Sequence, residues 1–269
     1  MSATVFLGAG RITSALVAGM RAGGFGGRIV VCDRNAEKLR RLRRSYGVGV
    51  EHDPRRAAAQ AGLLLVAVRP PDVLPLLAAI GELPRRAVPV SLAAGVSLAM
   101  LKRALGAQVP WTRAMPSPAC RTGHGLTALS FARAVPHAAR RLVRGFFARA
   151  GGVLEIPERD FDAFSVVYST SQGYHALAAR IRAARKIGLD AHTALVAARH
   201  SLLDALRDAG EINGRDLPAL DELVAAAATP GGLAAKTLET QRAAGYDRSI
   251  ERAFRAGLAR ARSVARPGR

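Results

Sequence analysis

Short apolar runs alternate with amphipathic stretches along the first half of the chain. The first run, residues 4–7, stops at a glycine, and the stretch after it, residues 12–22, gathers its apolar positions on one helical face. Runs that are apolar at nearly every position are typical of strands buried on both faces of a parallel sheet. The pattern therefore predicts an α/β fold with a doubly wound, Rossmann-like parallel sheet. Strands are predicted at 4–7, 28–32, 62–68, 87–92, 109–114 and 125–131, and helices at 12–22, 35–46 and 73–80. Asn35 is the predicted N-cap of the second helix.

The pattern changes after about residue 160. Residues 161–264 show an Ala-rich helical periodicity without a predicted strand, and the main breaks are Pro218 and the segment Thr229-Pro230-Gly231-Gly232. We therefore predict two domains, a sheet domain over residues 1–159 and an all-helical domain over residues 160–269. The last residues, 262–269, are expected to fray.

The composition agrees with a folded protein in a reducing compartment. Of the 269 residues, 49% are hydrophobic, which is ample for a buried core. No apolar stretch reaches the roughly 18–20 residues that cross a bilayer, and the first residues lack a signal-peptide pattern, so no membrane association is expected. The two cysteines, Cys32 and Cys120, fit neither a disulfide framework nor a metal knuckle. We expect a cytoplasmic protein without a metal site.

The net charge of +20 allows two interpretations. Clustered arginines attract polyanions, so a nucleic-acid partner is one of them. However, aromatic residues make up only 5% of the chain, and the basic runs at 40–44 and 140–144 have helical spacing. Because single-stranded nucleic acids stack on aromatic side chains, we favour solvated helix faces and expect no nucleic-acid partner. Part of the charge would also help to recruit a polyphosphate cofactor.

A glycine-rich turn lies between the first strand and the first helix. Gly8 permits the tight turn, and Gly10 lets the backbone approach a pyrophosphate at the positive end of the helix that begins with Arg11 and Ile12. Thr13 stands where a glycine or alanine would pack most closely. The placement after a strand and before a helix favours a dinucleotide site over an ordinary glycine-rich turn.

Two neighbouring residues after the second strand point to different cofactors. Asp33 lies about 20 residues beyond the turn, where a carboxylate binds the adenosine ribose of NADH. Arg34 follows it and would contact the 2′-phosphate of NADPH or stack on adenine. The sequence leaves the choice open, as it leaves open that Asp33 is a helix cap or a surface carboxylate.

The order and spacing of seven short motifs resemble those of pyrroline-5-carboxylate reductases, which reduce a cyclic imine to proline. Several of the motifs are ordinary alone, but together they cover almost the whole chain. They are 6–10, 33–39, 67–70, 93–96, 113–116, 123–129 and 229–232.

The resemblance implies a cofactor, an assembly and a set of binding residues. The cofactor would be NADPH or NADH. Ala67, Val68, Arg69 and Pro70 would line the nucleotide, and the segment with Ala94 and Gly95 would pass the nicotinamide. The helical domain of the family interlocks with that of a second subunit, so a homodimer or larger homo-oligomer is implied, with the small imine substrate at the junction.

Three substrate motifs depart from the family pattern. The loop that usually reads Ser-Gly-Ser-Gly-Pro-Ala is Ser169-Thr170-Ser171-Gln172-Gly173-Tyr174 here, and Pro-Gly-Gly-Thr-Thr is Pro230-Gly231-Gly232-Leu233-Ala234. Met-Pro-Asn-Thr-Pro is 115–119, Met-Pro-Ser-Pro-Ala. The substrate-binding candidates are Met115, Ser169, Gln172, Gly231 and Gly232. The catalytic candidates are Ser171, Thr170 and Tyr174, with His175 beside them as a further titratable group.

Three hypotheses remain at this point. The first is an NAD(P)H-dependent reductase of a cyclic imine, as in proline formation. The second is a diverged imine or carbonyl reductase of specialised metabolism, which the changed loops favour. The third is a non-catalytic dinucleotide-binding protein, because both hydroxyls of the Pro-Gly-Gly motif are lost at Leu233 and Ala234.

Overall fold

The computed structural model describes residues 2–211 and 217–264. The chain divides into two compact units, which we call the first and the second unit. The first comprises Met1–Tyr168 and Gly257–Arg269, and the second comprises Ser169–Ala256. The domain boundary between residues 159 and 160 stays a prediction. Residues 262–264 are helical, and the remainder of the tail expected to fray lies outside the described residues.

A single mixed sheet with order β3-β2-β1-β4-β5-β6-β7-β8 forms the centre of the first unit. Every neighbouring pair is parallel except β6 and β7, which are antiparallel. The predicted doubly wound sheet is therefore confirmed, but it was predicted to be parallel and β7 and β8 run in the opposite direction to the other strands. The strands are β1 (Ala3–Leu7), β2 (Ile29–Cys32), β3 (Gly49–Glu51), β4 (Ala61–Val66), β5 (Val88–Ser91), β6 (Thr112–Pro116), β7 (Gly125–Phe131) and β8 (Gly151–Glu155).

Helices of the first unit cover the sheet on both faces. Val5 and Leu7 of β1 belong to one buried apolar cluster and Phe6 to the other, because successive strand residues point to opposite faces. Trp111 is buried in the first cluster and Phe147 in the second. The helices are α1 (Arg11–Ala22), α2 (Ala36–Tyr46), α3 (Pro54–Ala59), α4 (Pro70–Ile80), α5 (Leu98–Leu105), α6 (His137–Ala148) and α7 (Glu158–Val167), with a 3-10 turn at Pro118–Thr122.

Local signals place several elements correctly. Asn35 caps α2 as predicted, since its side chain accepts a hydrogen bond from the Lys38 N–H at 3.0 Å. The predicted strand at 109–114 is displaced, because β6 spans Thr112–Pro116. The Trp111 N–H instead bonds the Val109 carbonyl at 2.9 Å, so the apolar character before residue 112 reflects core packing and not strand pairing.

The second unit contains helices joined by turns and no strand among its described residues, as predicted for the C-terminal part of the chain. Ala194 and Ala198 are its only described residues that are buried. No helix among the described residues is long and apolar enough to cross a membrane. The helices are α8 (Thr170–Lys186), α9 (Ala191–Asp208), α10 (Leu217–Ala227), α11 (Leu233–Ala243) and α12 (Tyr246–Val264), the last of which continues into the first unit.

Candidate functional site

The carboxyl ends of β1, β2, β4 and β5 are aligned by their register. Leu7 pairs with Cys32 on one side and with Val66 on the other, and Val66 pairs with Ser91. The residues that follow these strands therefore meet at one edge of the sheet, where ligands of doubly wound folds bind. We call this edge the cofactor edge.

Gly8 makes the sharp turn at the cofactor edge. Its φ of 112° lies in a region that side chains rarely adopt, and an added Cβ would lie 2.7 Å from the Ala67 carbonyl oxygen. Its N–H donates to the Cys32 carbonyl at 2.7 Å. Gly8 is therefore required by conformation and by space, before any ligand is considered.

Gly10 and the start of α1 leave room for an anion. Gly10 is the N-cap of α1, no side chain caps the helix, and the first turn holds no acidic residue. An added Cβ at Gly10 would meet no heavy atom within 4 Å. The backbone N–H groups of the first turn, around Arg11 and Ile12, thus face open space at the positive end of a 12-residue helix. These residues fit the pyrophosphate of a dinucleotide.

Thr13 stabilises the turn where the fingerprint would have a smaller residue. Its hydroxyl is buried and donates to the Gly8 carbonyl at 2.7 Å. The departure at this position therefore adds a hydrogen bond to the glycine turn and leaves the space beside Gly10 free.

Both oxygens of the Asp33 carboxylate accept backbone hydrogen bonds. Oδ2 accepts from the Ala9 N–H at 2.7 Å, and Oδ1 accepts from the Asn35 N–H at 2.8 Å. Asp33 thereby ties the glycine turn to the start of α2. Arg34 is exposed beside it, and no described carboxylate forms an ion pair with its guanidinium.

The predicted nucleotide-lining segment follows β4 directly. Ala67 and Val68 are half-buried, and the Ala67 N–H donates to the Leu7 carbonyl at 2.8 Å. Pro70 is the first residue of α4, and the exposed Arg69 precedes it as the N-cap. This segment therefore lies beside Gly8 at the cofactor edge. Its contacts with a nucleotide stay predictions.

The segment after β5 packs against the end of α12. Ala94 is exposed, whereas Gly95 has a φ of 74° and an added Cβ would lie 2.8 Å from the Ala261 carbonyl oxygen and 3.1 Å from Cβ of Val264. The last turn of α12 therefore accounts for a glycine at position 95. A nicotinamide contact of this segment stays a prediction.

The substrate and proton-donor candidates lie in the second unit, apart from Met115, which is half-buried on β6. Ser169 is the N-cap of α8, and its hydroxyl lies 2.8 Å from that of Ser171. Thr170 is half-buried, whereas Gln172 and Tyr174 are exposed. The structure thus brings the two serines together at one helix start.

The second glycine motif forms the turn between α10 and α11. Gly231 has a φ of 76°, and Gly232 is the N-cap of α11. Leu233, which replaces a hydroxyl residue of the family motif, is 93% exposed. The substrate-binding roles of these residues stay predictions.

Tyr168 is a positioning residue that the sequence analysis did not identify. Its hydroxyl accepts from the Leu126 N–H at 2.9 Å and donates to the Leu126 carbonyl at 2.7 Å. Tyr168, the C-cap of α7, therefore ties the end of this helix to β7, one residue before Ser169. A tyrosine immediately before the serine loop was the available signal.

Arg113 holds α7 against β6 through a buried charge network, which the sequence analysis also missed. Its side chain is 1% exposed and contacts Glu158 at 3.0 Å and Asp162 at 2.5 Å, with the ring centroid of Phe161 4.1 Å from its guanidinium carbon. Glu158 also accepts from the Leu98 N–H at 2.9 Å. The available signal was a charged residue inside an otherwise apolar strand.

No group of three or more metal-ligating side chains is present among the described residues. The thiols of Cys32 and Cys120 are buried, and burial is the main cause that raises the pKa of each from its ordinary value near 9 to about 11. Neither thiol is therefore activated for chemistry at neutral pH.

Comparison with known proteins covers both units. Residues 4–95 match the family described as NADP oxidoreductase coenzyme F420-dependent, which corresponds to the cofactor edge. Among solved structures, pyrroline carboxylate reductase of Plasmodium falciparum with NADP bound has a TM-score of 0.88 at 17% identity and covers 99% of this chain and 98% of that chain. A pyrroline-5-carboxylate reductase of Coxiella burnetii has a TM-score of 0.81 at 23% identity, with 99% of each chain covered. These two similarities show the fold.

Sequence relatives show the family. Pyrroline-5-carboxylate reductase of Mycobacterium tuberculosis is 31% identical over 98% of this chain and 97% of that protein. The enzyme of the same name from Thermus thermophilus is 32% identical over 94% of this chain and 96% of that protein. The glycine turn, the sheet order and these full-length similarities agree, and the chain belongs to the pyrroline-5-carboxylate reductase family.

Proposed function

We propose that this protein reduces pyrroline-5-carboxylate, or a closely related cyclic imine, with NADPH or NADH as the hydride donor. The observation that carries the proposal is the uncapped start of α1 at Gly10, where a Cβ would meet no protein atom and a pyrophosphate fits. The relatives that match over nearly the full chain are named for this reaction.

The chain's own residues would bind and orient the reactants. When bound, the reduced nicotinamide would supply the hydride for the imine carbon, and the ring nitrogen would take its proton from a donor at the site or from water. The first turn of α1 would hold the pyrophosphate, and Ala67–Pro70 would position the nucleotide along the cofactor edge. Orientation of this kind accounts for a large part of the rate in cofactor enzymes.

The hydroxyls at the start of α8 are our candidates for the imine side of the reaction. Ser169 and Ser171 lie 2.8 Å apart at an N-terminus whose backbone N–H groups favour a carboxylate. Together with Thr170 and Tyr174 they would bind the substrate carboxylate and keep a proton near the ring nitrogen. Met115, Gln172, Gly231 and Gly232 would complete the substrate site.

The arrangement around Asp33 favours NADPH over NADH. Both carboxylate oxygens already accept backbone N–H groups, whereas Arg34 is exposed and free to pair with a 2′-phosphate. Arg34→Ala should raise the KM for NADPH about tenfold, the loss of about 1.4 kcal/mol of binding, and leave that for NADH nearly unchanged. Equal losses with both cofactors would contradict this assignment.

A homodimer is the assembly that we propose. Large apolar side chains of the second unit are exposed, among them Leu195 and Leu206 on α9 and Ile187 directly after α8, and the helices of this unit bury almost nothing among themselves. Apolar patches of this kind mark subunit interfaces. Light scattering at micromolar concentration should give twice the chain mass, and Leu206→Glu should lower it; a monomeric wild-type chain would refute the dimer.

A cytoplasmic location without a nucleic-acid partner is also part of the proposal. It is supported by two separate buried free thiols and by basic side chains that lie on exposed helix faces.

The decisive test is turnover. The purified chain is incubated with pyrroline-5-carboxylate and either reduced cofactor, and loss of reduced-cofactor absorbance is followed. We expect imine-dependent oxidation of the reduced cofactor, which Gly8→Val abolishes. Turnover of carbonyl compounds alone would favour a diverged carbonyl reductase, and cofactor binding without turnover of any cyclic imine or carbonyl would favour a non-catalytic protein; either result overturns the proposal.

A further inference from the structure

A cleft lies at the opposite edge of the sheet, at the amino ends of β1 and β4. Its volume is about 480 Å³, within the range of small-molecule sites. The lining combines three arginines, Arg86, Arg141 and Arg149, with apolar side chains that include Phe25, Leu142 and Phe146. The strands of the sheet separate this cleft from the cofactor edge, since parallel strands carry their amino and carboxyl ends at opposite edges.

The three arginines carry uncompensated charge. Arg86 donates to the Ala59 carbonyl at 2.6 Å, and Arg141 lies 3.1 Å from Nδ1 of His137. Arg149 has its guanidinium carbon 5.9 Å from the ring centroid of Phe25. None of the three forms an ion pair with a described carboxylate.

Helix α6, which carries Arg141, has two further arginines whose charge is neutralised. Arg140 and Arg144 of α6 both pair with Glu155 on β8. Two arginines of α6 therefore have an acidic partner. Arg141 and the C-cap residue Arg149, which line the cleft, have none among the described residues. Unpaired guanidinium groups at a concave surface favour an anionic ligand.

Gly145 keeps the space between two of these arginines open. Positions 141 and 145 of α6 and its C-cap position, 149, lie on one face at intervals of one turn, and all three line the cleft. An added Cβ at Gly145 would meet no heavy atom within 4 Å, and its position in the helix requires no glycine. Because glycine inside a helix costs about 1 kcal/mol relative to alanine, the vacant position favours a purpose other than folding.

We propose that this cleft is a second ligand site, which binds an organic phosphate. The phosphate group would pair with Arg141 and Arg149 across Gly145, with Arg86 as a third cation. The apolar part of the ligand would lie against Phe25 and Leu142. Arginine is suited to this role because its planar fork of donors binds phosphate oxygens in pairs.

The binding test uses the full chain with one equivalent of NADP⁺, so that the cofactor edge is occupied and no excess of this organic phosphate competes for the cleft. Inorganic phosphate and 1-naphthyl phosphate are titrated separately by calorimetry. We expect one site per chain and at least tenfold tighter binding of 1-naphthyl phosphate, which corresponds to about 1.4 kcal/mol from apolar contact. Equal affinities, or no binding of either probe, would refute an organic-phosphate site.

Two sets of variants locate the site. Arg141→Ala and Arg149→Ala should each weaken 1-naphthyl phosphate binding at least tenfold, whereas Arg133→Ala, which removes an exposed arginine outside the cleft, should leave it unchanged. An equal loss in all three variants would show attraction by net charge only and would overturn the proposal.

Gly145 provides a test that leaves every arginine in place. Gly145→Glu should abolish binding because its carboxylate would compete with phosphate for the guanidinium groups, and Gly145→Gln, of equal size, should retain more affinity. Circular dichroism melting of both variants checks that α6 is intact. Unchanged binding in a folded Gly145→Glu protein would contradict the assigned position.

Discussion

The two units of this protein differ in how much of their apolar surface they bury. The first unit packs two apolar clusters against opposite faces of its sheet, with side chains such as Phe6 and Trp111 fully buried. The second unit buries only Ala194 and Ala198 among its described residues. Since burial of apolar surface is the main source of stability, the cofactor edge rests on a core of its own, and we expect the helical unit to gain stability from the proposed dimer.

The side chains that can serve as fluorescence and labelling probes lie in one unit only. The single tryptophan, Trp111, and both cysteines lie in the first unit. Tryptophan fluorescence and thiol labelling therefore follow the first unit alone, whereas far-ultraviolet circular dichroism follows the helices of both.

We expect the protein to unfold in urea in two separate transitions, the first of the second unit and the second of the first unit. Circular dichroism should lose part of its amplitude before the fluorescence of Trp111 changes, because the second unit has little core of its own. The first midpoint should rise with protein concentration, as linkage to dimerisation requires, and the second should not. A single transition that is independent of concentration in both signals would show that the two units do not differ in stability.

Removal of the buried cation at Arg113 should destabilise the first unit selectively. Arg113→Leu leaves Glu158 and Asp162 without their partner, and breaking a buried pair costs about 3 kcal/mol, the low end of the usual range because both carboxylates are partly exposed. The urea midpoint of the transition that Trp111 fluorescence follows should fall, and the midpoint of the first transition should not change.

Arg144→Leu is the matched control for Arg113→Leu. It removes an exposed arginine that pairs with Glu155, and it should cost less than about 1 kcal/mol. A cost equal to that of Arg113→Leu would show that burial of the pair is irrelevant.

The buried thiols should react at least about tenfold more slowly in the native protein than in denaturant near neutral pH. Burial raises the pKa of each thiol from near 9 to about 11, which lowers the thiolate fraction, and the higher nucleophilicity of a less acidic thiolate offsets only part of this ratio. Mass spectrometry after iodoacetamide treatment measures it. A native rate equal to the denatured rate would contradict the burial of Cys32 and Cys120.

The same shift makes stability fall at high pH. Because the folded thiols hold their protons more tightly than the unfolded ones, their contribution is complete below pH 9 and is lost as the pH rises towards 11. The Cys32→Ser, Cys120→Ala double variant should lose less stability over this interval than the wild type.

A single methyl group at Gly10 should act on cofactor binding alone. Gly10→Ala adds a Cβ that meets no protein atom, so the Trp111 transition should not move, while the Kd for NADPH rises about tenfold, or about 1.4 kcal/mol. Gly8→Ala should shift both quantities, since its φ of 112° strains any side chain. Unchanged affinity in Gly10→Ala would place the pyrophosphate elsewhere.

Local signals explain how far the sequence predicts this structure. The turn at Gly8 and the cap at Asn35 follow from residue type and position, and both are confirmed. The reversal between β6 and β7 was missed, although the connection of eight residues from 117 to 124 is shorter than the dozen or so that a parallel crossover needs. Strand direction there depends on connection length and not on apolar pattern.

Contacts between distant parts of the chain were outside the reach of sequence patterns. Thr13 was interpreted as a lapse in the fingerprint, but its hydroxyl bonds the Gly8 carbonyl. The double use of Asp33 by Ala9 and Asn35 depends on three-dimensional placement in the same way. Roles for Ser171 and Tyr174 depend on a bound imine, so they stay predictions.

The path of α12 has a consequence for the architecture of the chain. This helix starts in the second unit and ends against Gly95 in the first, so the helical unit is inserted into the sheet unit and not appended to it. A single cut near residue 168 would therefore remove part of the nucleotide-binding half as well, including the turn that covers the segment after β5. A minimal dinucleotide-binding protein built from this chain needs residues 2–168 joined by a short linker to residues 257–264.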